Sequence, residues 1–541
     1  MNALHSLLLA HAPVLPVLLP LFTAVLLLLL GDRSGGHGHD GEGMALRRRL
    51  SLGSVVLGLL LAVWLLTVAD GGALQVYRLG EWPAPFGIVL VLDRLSALML
   101  LLTACVAVPA LLYASGGWDS QGRLFHPLFH FQLMGLNGAF VTGDLFNLFV
   151  FFEVLLIASY VLLVHGQGRE RFRMGVHYVV LNLAASGLFL IGLGLLYAAT
   201  GTLNMADVAQ RLAVLQGDQA ALARAAALVL LVVFGLKAAL VPLYFWLPAT
   251  YAAASAPVAA LFAIMTKVGV YSIVRVHAVI FGAGAGEVAG VAQPWLLPLA
   301  LLTTALGVLG VLSAHSLSRL VAYLTVASVG TLLATVGLFT PAGLSAALYY
   351  TLHSTLVVAA LFLLVELMAA QRGPEGDRLQ PAMAVREPVL LGLLLLLGAA
   401  SAAGLPPLPG FLGKLMILQG AQGHPAQAWL WSVVLVAGFL TIVALARAGV
   451  IVFWHVQPAP GQALGSAGSS PRLLAAVGLL MGLGLAMTVW AAPLQAYAQA
   501  TATQLADRAA YARAVLGEGA PGAALRPYDG QRPAPAAPFK E

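Results

Sequence analysis

The sequence predicts an all-α, polytopic membrane protein of about 14 transmembrane helices, built as inverted repeats with two broken helices. Three observations carry this expectation. Of 541 residues, 60% are hydrophobic and 9% charged, with a mean hydropathy of +0.93; soluble domains carry about 25% charged residues. Apolar windows of about 20 residues recur along the chain, the length at which an internally hydrogen-bonded helix crosses hydrocarbon. Two of these windows are cut by proline and glycine beside a lysine, and irregular backbone at membrane depth is tolerated only where it lines a protein or water cavity.

Taken in order, the predicted spans are 9–30, 50–69, 88–114, 125–143, 145–165, 174–198, 222–247, 252–280, 294–313, 318–339, 343–369, 388–420, 427–456 and 472–494. The first has no Lys or Arg before it and no small-residue cleavage site after it, so it reads as a retained span, not a signal peptide. Grouping gives helices 1–3 over 1–124, a first repeat of helices 4–8 over 125–280, a second of helices 9–13 over 294–456, helix 14 over 472–494 and a tail over 500–541. The tail is rich in Pro and Ala and is expected to be partly disordered. Arginines concentrate on alternate loops, among them Arg47, Arg48, Arg49, Arg169, Arg171, Arg173, Arg372, Arg378 and Arg386. With positive charge kept inside, both termini face outward, into the periplasm of a bacterial inner membrane.

The chain has only four lysines, and Lys237, Lys267 and Lys414 lie inside apolar stretches. An ammonium at the bilayer centre costs roughly 2.5–3.5 kcal/mol, and intramembrane ionisable groups mark ion or proton paths. In Gly235–Pro248, Pro242 cannot donate to the carbonyl of Ala238, so the helix should break beside Lys237. In Gly404–Lys414, Pro406, Pro407 and Pro409 interrupt a run too long for one straight crossing. Lys237 lies eleven residues before Pro248 and Lys267 ten after Pro257. At about 1.5 Å per residue both stem from backbone roughly 15 Å from one face, near the midplane. Glu153, in the apolar run Leu145–Tyr160, is the available acidic partner. A buried Glu153–Lys237 ion pair that merely fixes helix positions is the competing reading.

Other chemistries find little support. One cysteine, Cys105, leaves no disulfide framework, iron–sulfur cluster or Cys-rich zinc site to this chain. No cofactor and no metal are expected; the loop Gly35–Gly43, with its histidines among glycines, reads as solvated. The net charge of +6 reports loop orientation and not nucleic acid. Asp144 and Asn147, at a span end, are candidates for an ion entrance. Glu366 fits snorkelling or pairing with Arg372, and Trp82, Trp118, Trp246, Trp295 and Trp429 fit interfacial anchors.

The run Lys237…Pro242-Leu-Tyr-Phe-Trp-Leu-Pro248…Pro257…Thr266-Lys-Val-Gly-Val-Tyr271 resembles the signature of the antiporter-like subunits shared by respiratory complex I and Mrp cation/proton antiporters. Thr142–Glu153, Arg319–Thr325 and Gly404–Lys414 strengthen the resemblance, which covers roughly residues 80–455. Tyr244, where complex I members often carry histidine, and the form of the Asp144–Glu153 run are similar to the D-type branch of the Mrp family. The resemblance implies a transporter component, not an enzyme, moving protons and Na⁺ or K⁺ with the A, B, C, E, F and G subunits of an Mrp complex as partners. It implies pairing of Glu153 with Lys237, continuation through Lys267, His353 as a second-half relay and Lys414 as the terminal lysine. The alternative is a proton-pumping membrane component of an NADH:quinone oxidoreductase or membrane hydrogenase.

Overall fold

The computed structural model describes residues 2–31, 40–457 and 469–517. Most of the loop over 35–43 and the tail beyond 517 lie outside these residues. The chain opens with α1 (Asn2–Ala10), α2 (Leu15–Leu29) and α3 (Asp40–Asp70), followed by β1 (Gln75–Arg78), β2 (Val89–Leu92) and α4 (Arg94–Ala114). Then come α5 (Phe125–Val141), α6 (Leu145–Val164), α7 (Arg169–Thr200), α8 (Met205–Leu212), α9 (Gly217–Ala238), α10 (Trp246–Ala253) and α11 (Ala256–Ile273). A π-helix over Val274–Ile280 prolongs α11. The second half holds α12 (Gln293–Ser313), α13 (Leu317–Val336), α14 (Pro341–Gln371), α15 (Pro388–Ala403), α16 (Pro409–Gly420) and α17 (Gln427–Phe453). The chain closes with α18 (Pro471–Val489), α19 (Ala491–Ala506) and α20 (Arg508–Leu516).

Among the described residues eleven helices are long and apolar enough to cross a membrane, and α2 and α15 are shorter apolar helices. This is a multi-pass membrane protein. The helices differ in what surrounds them. α11, α13 and α14 are buried along nearly their whole length, whereas α7 exposes Val176, Val180, Leu183 and Ile191 on one side. An apolar face turned to lipid carries no penalty, so the polar groups of a membrane protein collect inside. Here they collect on and around α11 and α14.

Both predicted breaks are present. The stretch 222–247 divides into α9 and α10, and 388–420 into α15 and α16. Two expectations need correction. The span predicted from 88 begins as a strand: Val89–Leu92 pairs antiparallel with Gln75–Arg78, Gln75 opposite Leu92, and the helix starts only after Asp93. Asp93 accepts from the Ser96 amide while Ser96 returns a bond to the Asp93 amide, a capping box that sets this start. Arg47, Arg48 and Arg49 lie within α3, not on a loop. The described part of the tail is helical, because α19 and α20 carry the chain to Leu516.

Candidate functional site

The break beside Lys237 follows from its sequence. α9 ends at Ala238, Ala239 adopts a left-handed φ of 64°, and the Leu240 amide turns back to the Gly235 carbonyl at 2.7 Å. The carbonyl of Leu236 is taken by Trp246 Nε1 at 3.0 Å, and the Val241 amide donates to Thr303 Oγ1 on α12 at 2.9 Å. These freed backbone groups thus find partners within protein, as the membrane interior demands. Trp246 is consequently buried and serves this junction, not the interface; Trp295 and Trp429 are exposed near helix ends, and Trp82 is exposed between β1 and β2.

α11 reaches the same place through Gly269. A Cβ there would lie 2.6 Å from the Ala238 amide nitrogen, so only glycine lets α11 touch the last turn of α9. This contact sets the two lysine-bearing helices side by side. Lys237 is buried above the Phe152 ring, its nitrogen 5.8 Å from the centroid. Lys267 is buried as well, with a long 3.4 Å bond to Thr266 Oγ1.

Glu153 and Lys237 do not form the direct ion pair that the resemblance implies. Lys237 Nζ donates to Asn182 Oδ1 at 2.9 Å, and Ser186 Oγ donates to Glu153. Asn182 and Ser186 stand four residues apart on α7, so one helix face holds both partners. The carboxylate remains near enough to act on the ammonium electrostatically. Two neutral side chains of α7, one on each charge, thus stand in place of a direct pair, a neutral bridge made by the helix face and not by a continuous hydrogen-bonded chain. An Asn and a Ser at this spacing in an otherwise apolar helix were the sequence signal for it.

His353 and Lys414 meet in the second half. They line one cavity of about 30 Å³ with Thr304, Ser328, Thr331 and Tyr350. His353 is buried on α14, and a Cβ on Gly410 would stand 2.8 Å from its Nε2 and 1.9 Å from the Ser401 carbonyl, so glycine is required at the start of α16. Lys414 Nζ donates to the Ala403 carbonyl at 2.6 Å, where α15 ends and Gly404 takes a φ of 86°. A cation at a helix C-terminus meets the negative end of the helix dipole. Pro406, Pro407 and Pro409 keep the chain from continuing that helix, which leaves the carbonyl open for the lysine.

Asp144, Asn147 and Glu366 each have partners of their own. Asp144 caps α6 by accepting from the Asn147 amide at 2.8 Å, and Asn147 Nδ2 donates to Thr142 Oγ1 at 3.0 Å. Glu366 does not pair with Arg372: it accepts from the Ala256 amide at the start of α11 at 2.9 Å and from Trp118 Nε1. Arg372 instead binds the carbonyls of Gly376, Arg378 and Gln380. At this arginine-rich end Asp119, between α4 and α5, binds Arg48 at 2.6 Å and His126 at 3.1 Å. Burial pushes the Asp119 carboxyl up, but Arg48 and His126 outweigh it and hold the group down at about 2.

Known proteins share this fold. Residues 142–441 match the transmembrane family of NADH:quinone oxidoreductases and Mrp antiporters. The chain belongs to that family. Among its relatives, the D component of a probable K⁺/H⁺ antiporter of Rhizobium meliloti is 41% identical over 94% of this chain and 97% of its own. The D component of the Na⁺/H⁺ antiporter of Bacillus subtilis is 36% identical over 93% of this chain and 99% of its own. A chain of the Mrp complex from Dietzia sp. DQ12-45-1b superposes with a TM-score of 0.82 at 28% identity, over 94% of this chain and all of that one. The family match begins at Thr142 and ends at Thr441, so it spans Glu153, Lys237, Lys267, His353 and Lys414 together.

Proposed function

We propose that this chain is the D-type, ion-translocating component of a multisubunit Na⁺ or K⁺/proton antiporter in a bacterial inner membrane. It works beside the A, B, C, E, F and G subunits of an Mrp-type complex. The observation that carries this reading is a set of ionisable groups set into the apolar helices of both halves, Lys237, Lys267 and His353 buried and Glu153 and Lys414 half-buried, with a helix break beside Lys237 and another before Lys414. The names of the full-length relatives favour an antiporter over the redox-driven alternative. The helices over 125–280 and 294–456 form the two repeats, each with its fourth helix broken.

The neutral bridge suits a switch. When Lys237 carries a proton, Asn182 and the nearby Glu153 charge hold it; when it loses the proton, that attraction disappears and the next group in the row gains proton affinity. Protons thereby pass from the first repeat toward His353 and Lys414, against cation movement the other way. The membrane orientation that goes with this places the Arg48–Asp119 end inside and α20 outside.

Cation-driven collapse of a pH gradient in everted vesicles containing the whole complex tests the function. Na⁺ or K⁺ should collapse the gradient, and vesicles lacking this chain should not respond. An unaltered response without the chain would remove it from the pathway. For orientation, Ala509→Cys and Arg49→Cys, each in a Cys105→Ser background, are treated with an impermeant thiol reagent. In cells with a permeable outer membrane, only Ala509→Cys should react; the reverse pattern would invert the topology.

A further inference from the structure

A cavity of about 750 Å³ opens at the outer end of the molecule, walled by α19 and α20, and Arg275 and Asp93 line it. The proposed relay uses none of it. Its floor is a buried ion pair: Arg275 reaches the two Asp93 oxygens at 2.5 and 2.6 Å. The third guanidinium nitrogen, Nε, donates to the Tyr271 hydroxyl at 3.0 Å, and that hydroxyl donates to the Phe140 carbonyl at 2.7 Å. Lys267, Tyr271 and Arg275 succeed one another at intervals of four residues, so they share one face of α11 and its extension, with about 6 Å of rise per step. The ladder runs from a buried lysine of the relay to a space of about 750 Å³.

Two features distinguish this pair from an ordinary structural ion pair. A pair that only fixes helix positions has no need of an opening beside it, yet this one borders the cavity. Arg275 also sits on the π-helix over Val274–Ile280, and such segments, which are wound more loosely than an α-helix, are frequent at functional sites. In the present geometry the ladder is closed. The Tyr271 hydroxyl spends its proton on Phe140 and receives Arg275 on its oxygen, so it has nothing to hand on. Movement of the Arg275 guanidinium away from both Asp93 and the hydroxyl would free that oxygen and leave a carboxylate facing the cavity.

We propose that the Arg275–Asp93 pair is the gate of a separate outer outlet for the first repeat, leading from Lys267 past the Tyr271 hydroxyl into the cavity, and that it carries protons. A metal cation is disfavoured because Arg275 stands across the way. The proposal rests on Lys267 being part of the relay, so its test reads access instead of transport.

Tyr271→Cys is placed in the whole complex, in a Cys105→Ser background, with Thr503→Cys on the cavity wall as reference. Both are exposed from the outer side to a small cationic methanethiosulfonate. Thr503→Cys should react in every background. Tyr271→Cys should react slowly with the pair intact and faster, by about tenfold or more, when Asp93→Asn breaks it. Arg275→Gln breaks the pair from the other partner and should give the same acceleration, which guards against a folding defect of one variant. Equal rates with and without the pair, or reaction only from the inner side, would overturn the gate. Acceleration in a complex whose Lys267→Met variant still exchanges ions would keep the outlet and refute the relay reading instead.

Discussion

Lys237 is bound by Asn182 and not by Glu153, at 2.9 Å from the amide oxygen, while Ser186 on the same face of α7 holds the carboxylate. The amide and the hydroxyl are neutral and carry no charge of their own, so they position the two charges without cancelling them. An intimate buried pair would be tightly held in its charged form. Separation by one polar layer leaves the lysine's proton affinity adjustable.

Asn182→Ala should therefore slow exchange by about tenfold or more, since a hydrogen bond to a charged group contributes about 1.5–3 kcal/mol. Asn182→Asp should do more damage, because a carboxylate at that place pins the ammonium. Cation-dependent proton flux at several pH values, with protein levels checked, measures both. Flux in Asn182→Asp equal to that of the parent would show that the bridge has no part in translocation.

Glu153→Ala should abolish exchange while the complex still assembles. Its carboxylate accepts from Ser186, and replacing it removes the charge that acts on Lys237. Vesicles with a fully assembled complex and parental exchange would take Glu153 out of the path.

Lys414→Met keeps an unbranched apolar chain and should stop exchange, whereas Lys414→Arg keeps the charge and the bond to Ala403 but cannot readily release its proton. Partial or no rescue by arginine marks a carrier. Full flux in the methionine variant would confine the relay to the first half.

The Arg48–Asp119 contact predicts a pH dependence of stability rather than of transport. Asp119 is held down at about 2, below the ordinary carboxylate value of about 3.9. Its contribution is thus fully present above pH of about 4 and is lost as pH falls toward 2. Asp119→Ala should cost about 1.5–3 kcal/mol, moderated by the partial exposure of Arg48. Thermal loss of the detergent-solubilised complex, followed at pH 7, would register this as a lower midpoint; an unchanged midpoint would rule it out.

Much of this architecture was legible in the sequence because lipid imposes a simple rule on it. Every crossing must satisfy its own backbone, so length and apolarity mark the spans, and a proline beside a lysine marks the breaks at Pro242 and Pro406. The same rule is silent at the ends of helices. Val89–Leu92 reads as the start of a span by hydropathy, although Asp93 and Ser96 mark the true helix start. α19 and α20 carry Gln, Thr, Arg and many alanines, too polar for a span and too ordinary to announce a helix, yet they wall the outer cavity. Asn182 and Ser186 escape notice for a different reason. A neutral polar side chain in an apolar helix is commonplace, and its meaning emerges only when α7 is seen to run between two charged neighbours.

The bond from the Val241 amide to Thr303 bears on how such a chain is made. The donor belongs to the broken helix of the first half, the acceptor to the first helix of the second, and 62 positions separate them. A nascent polypeptide threaded into the membrane only as far as the residues before α12 would hold that amide without its hydroxyl, at a cost of several kcal/mol in hydrocarbon. The break in the first half therefore gains this partner only from a helix made after it, and a chain ending before α12 would carry an unmated amide at its own centre.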